Sequence, residues 1–198
     1  MLIDCHLHTN RHSVCSTLSP HRACRLALER GLDAIVLTEH QVQWGAQELA
    51  ALRGEFPSLK IFSGVEVSLA QGCDVVLIAA QQGLTYPPRK HLDLEAFLES
   101  LARVRGEYFL FLAHAFRWAD KMSKEMERVF SRVHGVEMNS INILFGKAKP
   151  APTGLVPRNA ARYHAVRDRY GLIPLYNTDA HTESAVGTIC NQIDHPTP

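Results

Sequence analysis

The chain has 198 residues, of which 46% are hydrophobic and 21% charged, and this balance predicts a folded core and excludes a disordered chain. The net charge of +1 gives no basic footprint for nucleic acid. No apolar run approaches the roughly 18 to 20 residues of a membrane span, and the strand-like start is not that of a signal peptide. Five cysteines without CxxC spacing favour reduced thiols. We therefore expect one cytoplasmic domain over residues 1–198, with no membrane partner.

Short apolar runs alternate with helical patterns along the chain. The runs that predict buried strands are Leu2–Cys5, Ala34–Leu37, Lys60–Val67, Val75–Ala80, Tyr108–Ala113, Val133–Met138 and Leu172–Tyr176. Helices are predicted from Ser19-Pro20 to Gly31, along the stripe Leu94, Phe97, Leu98 and Leu101, and from Arg158 to Tyr170. This order favours an α/β fold with a mostly parallel sheet, a distorted seven-stranded (β/α) barrel, with an open doubly wound sheet as the alternative. Gly146 to Pro157, with three prolines, is predicted to be a mobile loop.

Metal-binding side chains follow these strands. The first strand ends in Asp4-Cys5-His6-Leu7-His8, where alternation places Asp4, His6 and His8 on one face. The later positions are His40, Glu66 and His114 at three strand ends, Asp179 and His181 on one face after the last strand, and Asp74 before the fourth, as a ligand or only a turn residue. The fold class builds its sites at the carboxyl ends of strands. Because zinc usually takes four ligands, this set predicts two or three metal ions with Glu66 as a bridge.

The other histidines and the cysteines carry less information. His21, His91, His134, His164 and His195 lie in or beside helices or near the last residues, and we expect solvated or structural roles for them. His12 follows His8 by four residues and is a candidate ligand of a third ion. Cys5 is predicted to alternate away from His6 and His8, and Cys15 has no Cys or His at ligand spacing, so both are interpreted as structural.

These residues together resemble the PHP (polymerase and histidinol phosphatase) family of metal-dependent phosphoesterases. The resemblance extends from Asp4 to Gly187 and rests on DCHLHT at 4–9, TEH at 38–40, GVEV at 64–67, AHAF at 113–116, EMN at 137–139 and TDAH at 178–181. It implies a PHP-like barrel of seven strands and a centre of two or three ions of zinc, manganese or iron.

The resemblance also implies a ligand assignment. His6, His8, Glu66 and Asp179 would hold the first ion, Glu66 and His114 the second, and His40 and His181 the third with a residue of the loop after the first strand. That loop residue is His12, Ser13 or Cys15. Many relatives have a histidine where this chain has Asp74, and a carboxylate there favours harder ions.

The chemistry expected of such a centre is hydrolysis of a phosphate ester by a metal-bridging hydroxide. Arg117 is a candidate phosphate clamp or else a surface arginine packed on Trp118, and Arg11 is a second candidate. Asp4 is expected to orient a ligand histidine, and His181, His12 or a water to protonate the leaving group.

A small phosphorylated monoester is the favoured substrate. A nuclease or nucleotide diesterase is the alternative, which a basic rim of Lys147, Lys149 and Arg158 would favour, so nucleic acid is a less favoured partner. Two further alternatives are a metal-binding regulatory domain without turnover and an amidohydrolase-type barrel, which usually needs a longer chain.

Overall fold

A computed structural model describes residues 1–87, 92–117, 122–144, 148–151, 154–157 and 159–194. The strands are β1 Leu2–Leu7, β2 Ala34–His40, β3 Lys60–Ser68, β4 Asp74–Ala79, β5 Tyr108–Ala113, β6 Gly135–Asn139, β7 Ala148–Ala151, β8 Gly154–Pro157, β9 Ile173–Tyr176 and β10 Asn191–Gln192. The helices are α1 Pro20–Glu29, α2 Ala46–Glu55, α3 Leu94–Leu101, α4 Lys124–Phe130, α5 Ile141–Leu144 and α6 Ala160–Tyr170. All seven predicted strands are present, as β1 to β6 and β9.

The main sheet has eight strands in the order β10-β1-β2-β3-β4-β5-β6-β9 and curls into a nearly closed barrel. At the carboxyl end of β1, Leu7 pairs with Ala180 and so links β1 to the chain that follows β9. At the amino end of β1, β10 pairs antiparallel with it. The predicted barrel is thus confirmed, and the open doubly wound sheet is not the fold.

Strand β4 departs from the predicted parallel arrangement, because it runs antiparallel to both β3 and β5. Only residues 69–73 separate β3 from β4, whereas a parallel crossover needs about a dozen residues or more. Gly72, at φ +77°, allows the tight turn. The reversal pairs Ser68 with Asp74 and therefore brings Asp74 to the end of the barrel where the parallel strands finish.

Strand β1 contains an irregularity that changes which residues share a face. Its register with β2 shifts between Asp4 and Leu7. Cys5 packs in a small cluster of strand residues only, inside the barrel, whereas Leu7 packs outside with residues of α1 and α2. Such a bulge breaks the alternation of side chains. The prediction that Asp4 shares a face with His6 is therefore wrong, as is the prediction that Cys5 alternates away from His6 and His8.

The helices follow their sequence signals closely. Helix α1 begins at Pro20 with Ser19 as its cap, and Gly31, at φ +77°, follows its end. Helix α6 ends at Gly171, at φ +64°, as predicted. The described part of the predicted 146–157 loop instead forms an antiparallel hairpin of β7 and β8, so that prediction is wrong there.

Two larger apolar clusters lie between the sheet and the helices. One includes α3, α4 and α6 residues packed on β3 to β6, and the other includes α1 and α2 residues packed on β1 to β3. The barrel is thus covered outside by helices and filled at its centre by strand side chains, which leaves the ends of the strands for polar groups. Among the described residues, no helix combines the length and apolar character needed to cross a bilayer.

Candidate metal centre

Eight of the nine predicted metal ligands meet at the end of the barrel where β1, β2, β3 and β5 finish. They are His6, His8, His40, Glu66, Asp74, His114, Asp179 and His181. The apolar interior lies directly beneath them, with the Phe111 ring edge-on to His6 at a centroid distance of 6.2 Å. Six of the eight are buried, while the side chains of His40 and His181 are 30% and 24% exposed. The site is therefore a buried cluster that is open on the side of these two histidines.

The donor atoms of these residues form overlapping groups of three, each with all atoms within 4.8 Å of one another. The groups are His6–His8–Glu66, His6–His114–Asp179, Glu66–Asp74–His114 and His8–His40–His181. His6, His8, Glu66 and His114 each belong to two groups. The arrangement can therefore hold neighbouring ions that share ligands, and it brings His8 to the end where His40 and His181 lie.

Glu66 lies at the centre of the cluster. Its Oε1 accepts a hydrogen bond from His114 Nε2 at 3.1 Å and lies 3.6 Å from His6 Nε2. Its Oε2 lies 2.7 Å from His40 Nδ1 and 3.5 Å from His8 Nε2. The two oxygens thus face different histidines, which is the geometry that a bridging carboxylate needs.

Two residues of the site have unusual backbone conformations. His114 has φ +27° and Asp179 has φ +51°, in the left-handed region that residues other than glycine rarely adopt. The bend at His114 turns its ring towards Glu66, although it follows Ala113 at the end of β5. Asp179 Oδ1 lies 3.3 Å from His8 Nε2 and 3.5 Å from His6 Nε2. Such strain persists only where the surroundings enforce it, and here it directs donor atoms inward.

The ring orientation of His6 is set by a residue that the sequence analysis did not assign. Glu137, in the EMN segment of β6, is fully buried, and its Oε1 accepts a hydrogen bond from His6 Nδ1 at 3.0 Å. Because a carboxylate only accepts, the Nδ1 atom carries a proton and Nε2 is directed at the cluster. Glu137 also accepts from Asn177 Nδ2 and from the backbone N–H of His114. The role predicted for Asp4 therefore belongs to Glu137.

His8 and His181 are oriented in a similar way. His8 Nδ1 lies 3.4 Å from Ser13 Oγ, and this hydroxyl donates to Glu39 Oε2 at 2.5 Å. Glu39 is buried and also accepts from Trp44 Nε1 at 3.1 Å. His181 Nδ1 donates to the backbone carbonyl of Asp179 at 3.0 Å. In both histidines the Nε2 atom is left for the cluster.

The two central carboxyl groups stay ionised despite burial. Burial raises the pKa of Glu66, but hydrogen bonds from His114, His40 and His6 outweigh it and hold that pKa well below its usual range. Burial likewise opposes ionisation of Asp179, but the positive charge of His6 outweighs it and lowers the pKa of Asp179 overall. Two buried negative charges require cations beside them.

The histidines respond to these charges in opposite ways. Burial lowers the pKa of His6, yet Asp179 and Glu137 bring it well above its usual value. For His114, burial is likewise outweighed, chiefly by Glu66, and its pKa rises to about 9. Burial dominates at His8 and lowers its pKa to about 3. Positive charge is thus favoured at His6 and His114 and disfavoured at His8.

The donor set fits divalent ions. His6 Nε2 and His8 Nε2 lie 3.0 Å apart, so a proton or a metal ion must stand between or beside their lone pairs. Nitrogen and oxygen donors in groups of three, with the far ring nitrogens of His6, His8 and His181 anchored, match the requirements of zinc, manganese or iron. These residues could therefore hold more than one ion without rearrangement of the strands.

The candidates for the loop ligand do not join the cluster. His12 Nε2 lies 3.1 Å from Glu48 Oε2, and the His12 ring packs edge-on against Trp44. Ser13 acts behind His8, and Cys15 is exposed. None of the three belongs to a group of potential metal donors among the described residues.

Asp4 and Arg117 lie beside the cluster. Asp4 is fully buried; its Oδ1 accepts from the backbone N–H groups of Thr178 at 3.1 Å and His6 at 3.2 Å, and burial raises its pKa to about 7. It contacts no imidazole ring through these bonds and instead ties β1 to the chain after β9. The backbone N–H of Arg117 donates to the carbonyl of His114, which places Arg117 in the turn after β5. Trp118, its expected packing partner, lies outside the described residues.

The other histidines that the structure describes lie apart from the cluster. His21 pairs with Glu55 at the surface, His134 Nδ1 accepts from the backbone N–H of Leu110, and His164 is exposed. His91 and His195 lie outside the described residues, as do Lys147, Arg158 and the side chain of Lys149, on which the predicted basic rim depended.

The sequence of the chain can be compared with known families. A family model of the PHP domain matches residues 4–136. The chain belongs to the PHP domain family. PHP domains are metal-dependent, and the match covers six of the eight clustered residues, all except Asp179 and His181. No curated protein sequence matches this PHP domain closely enough to count as a relative.

Solved structures share the fold of this PHP domain. PsfC from Pseudomonas syringae has a TM-score of 0.65 at 20% identity over 94% of this chain and 78% of its own. A two-domain protein from Bacteroides vulgatus, described as containing a predicted PHP-like metal-dependent phosphoesterase, has a TM-score of 0.67 at 18% identity over 93% of this chain and 53% of its own. Endonuclease Q, solved with a 27-mer duplex substrate, has a TM-score of 0.55 at 13% identity over 92% of this chain and 50% of its own. This PHP domain therefore spans about half the length of the last two proteins.

Proposed function

We propose that this PHP domain is a phosphoesterase that hydrolyses small phosphate monoesters with two or three divalent ions. The observation that supports it most is the overlap of the donor groups, in which His6, His8, Glu66 and His114 each serve two groups. Shared ligands would keep ions a few ångströms apart, which is the spacing of two-metal sites that act on phosphate esters.

The ligands follow from the groups. Glu66 would bridge neighbouring ions, with His6, His8 and Asp179 on one side and His114 and Asp74 on the other. His40 and His181, together with His8, would hold the ion at the open side. When bound, the ions would activate a water and neutralise charge on the phosphoryl oxygens.

Other residues of the chain would prepare the site for this chemistry. Glu137 and Ser13 keep His6 and His8 in the tautomers that present Nε2. Arg117, in the turn after His114, would bind a substrate phosphate oxygen, with Arg11 as a second candidate. Proton transfer to the leaving group falls to His181, at the open side, or to a water.

A phosphodiesterase or nuclease is the second candidate function. The similarity of fold to Endonuclease Q, which was solved with a duplex substrate, is the observation in its favour. Against it stands the balanced charge of this chain, +1 over 198 residues, which offers little attraction to a polyanion.

Metal content tests the centre first. Protein purified without chelator should carry two or three equivalents of metal, and Glu66→Gln should lose more than one because Glu66 serves two groups. Glu99→Gln, a matched change at an exposed position of α3, should lose none. One equivalent or fewer in the natural protein, unchanged by Glu66→Gln, would refute the multinuclear centre.

Turnover tests the reaction. The metal-loaded protein should hydrolyse p-nitrophenyl phosphate faster than bis-p-nitrophenyl phosphate, and Glu66→Gln should abolish both activities. Faster cleavage of the diester would favour the second candidate. A fully loaded protein that cleaves neither compound would contradict the phosphoesterase proposal and favour a regulatory domain.

A further inference from the structure

The two ends of the metal cluster present different donor atoms. The donor group at the open end consists of three imidazole nitrogens, those of His8, His40 and His181, and the shared Glu66 carboxylate reaches it with Oε2 2.7 Å from His40 Nδ1. The opposite end, formed by Glu66, Asp74 and His114, offers two carboxylate oxygens and one imidazole nitrogen. A divalent ion at the second end would thus be held by more carboxylate and less imidazole than one at the first.

Asp74 is held in place for this role. It is the first residue of β4 and pairs with Ser68, the last residue of β3, so strand register determines its position. Ser68 Oγ donates to Asp74 Oδ1 at 2.5 Å, and Asp74 Oδ2 lies 3.8 Å from His114 Nδ1. The carboxylate is therefore anchored by one oxygen while the other faces the cluster. Its side chain is 11% exposed, so water competes with it little.

Donor type is one of the means by which protein sites distinguish divalent metals. Imidazole suits zinc and its neighbours, whereas carboxylate and water suit manganese and magnesium. Zinc still binds more tightly than manganese to most sites, so the two ends differ in how strongly they prefer zinc. The preference for zinc is larger at the end with three imidazole donors and smaller at the end where two of the three donors are carboxylates.

We propose that the centre is heterometallic, with zinc held by His8, His40 and His181 and manganese held at the carboxylate end, and that Asp74 determines this partition. This inference rests on the proposed metal centre but not on the reaction that the centre catalyses. It assigns Asp74 as a selectivity-determining ligand of one end.

Competition between zinc and manganese tests the partition. Metal-free protein is saturated with Mn²⁺ and titrated with Zn²⁺, and bound Mn²⁺ is followed by low-temperature electron paramagnetic resonance with metal analysis after desalting. The first equivalent of zinc should leave manganese bound. In Asp74→His, the zinc concentration that displaces the remaining manganese should fall by about tenfold or more. The reason is that one of the two carboxylate oxygens at this end is replaced by an imidazole nitrogen, which favours zinc. Total metal per chain should stay unchanged.

Two matched variants control this experiment. Asp168→His makes the same change on α6, where the aspartate is 64% exposed and pairs with Arg167, and should behave as the natural protein does. Asp74→Glu keeps the carboxylate and should keep the manganese, which separates donor chemistry from loss of the fold. All variants are compared by circular dichroism before loading.

Specific outcomes overturn the inference. If the zinc concentration that displaces half of the remaining manganese in Asp74→His lies within twofold of that for the natural protein, Asp74 is not a ligand. A fall in total metal without exchange of manganese for zinc would lead to the same conclusion. Displacement of all manganese by the first zinc equivalent would refute the partition. A protein that binds neither ion would refute the metal centre itself, whereas correct partition without ester hydrolysis would refute only the proposed function.

Discussion

Glu137 offers a sharp test of how the site is organised, because it touches the ligands without belonging to a donor group. The substitution Glu137→Gln keeps the size and shape of the side chain and removes one acceptor oxygen and the charge. Its Oε1 accepts from His6 Nδ1 and Asn177 Nδ2, and its Oε2 accepts from the backbone N–H of His114, all at 3.0 Å. Whichever way the glutamine turns, its NH₂ group faces at least one donor.

The expected cost follows from counting these donors. The better orientation keeps oxygen opposite His6 and Asn177 and leaves the buried N–H of His114 without an acceptor. A buried unsatisfied donor costs about 1–3 kcal/mol of folding free energy. Loss of the carboxylate behind His6 also weakens metal binding by roughly 10–100-fold, the usual effect of removing a partner of a ligating histidine.

Two measurements separate these effects. Urea unfolding of the metal-free proteins gives the loss of stability, and competition with a chromophoric chelator gives the zinc affinity. Glu99→Gln at the surface of α3 should leave both quantities unchanged. A zinc affinity of Glu137→Gln within twofold of the natural protein would refute the argument that Glu137 positions His6.

Three further predictions concern packing around the site. Tyr163→Phe should lower the free energy of unfolding in urea by about 1–3 kcal/mol, because the buried Tyr163 hydroxyl accepts from the backbone N–H of Phe116 at 3.0 Å. Gly64→Ala should cost about 1–3 kcal/mol by the same assay, because its Cβ would lie 2.8 Å from a backbone oxygen of β4. Ser19→Ala should cost about 0.5–2 kcal/mol in thermal unfolding, because it removes the cap of α1.

Matched variants decide each of these predictions. Tyr108→Phe, at a tyrosine that is 39% exposed, should leave the free energy of unfolding nearly unchanged. If Tyr163→Phe changed it as little as Tyr108→Phe does, the buried hydrogen bond of Tyr163 would be contradicted. Gly54→Ala in α2 meets no atom within 4 Å and should stabilise by about 0.5–1 kcal/mol, so a stable Gly64→Ala would refute the close approach of β3 and β4. Unchanged melting of Ser19→Ala would show that Pro20 alone begins the helix.

The strands and most of the cluster were predictable because each depends on local pattern. Apolar runs identify the strands, and polar residues at their carboxyl ends meet because barrel topology brings those ends together. The reversal of β4 was also predictable from the sequence, because five residues between Ser68 and Asp74 are too few for a parallel crossover. The regular alternation of strand and helix patterns elsewhere in the chain favoured the parallel interpretation instead. Helix α2 was not predicted, because it buries only Leu49 and Leu52 in its span and its sequence has no clear stripe of apolar residues.

The partners behind the ligands were not predictable from spacing. Glu137 reaches His6 across the barrel from β6, 131 positions along the chain, and only the closed sheet brings the two together. The register shift in β1 likewise depends on pairing with β2, where Thr38 Oγ1 accepts from the backbone N–H of Leu7 at 3.0 Å. Alternation along one strand therefore gave the wrong face for Asp4.

The hairpin between β3 and β4 makes one metal ligand depend on turn length. Side chains alternate along β4, so a shift of its pairing by one residue would present Cys73 or Val75 where Asp74 now stands. Insertion or deletion of a single turn residue could thus exchange a carboxylate for a thiol or an aliphatic group with every helix left in place. Members of this fold can in this way acquire or lose a ligand through a length change, without any point substitution in the strands.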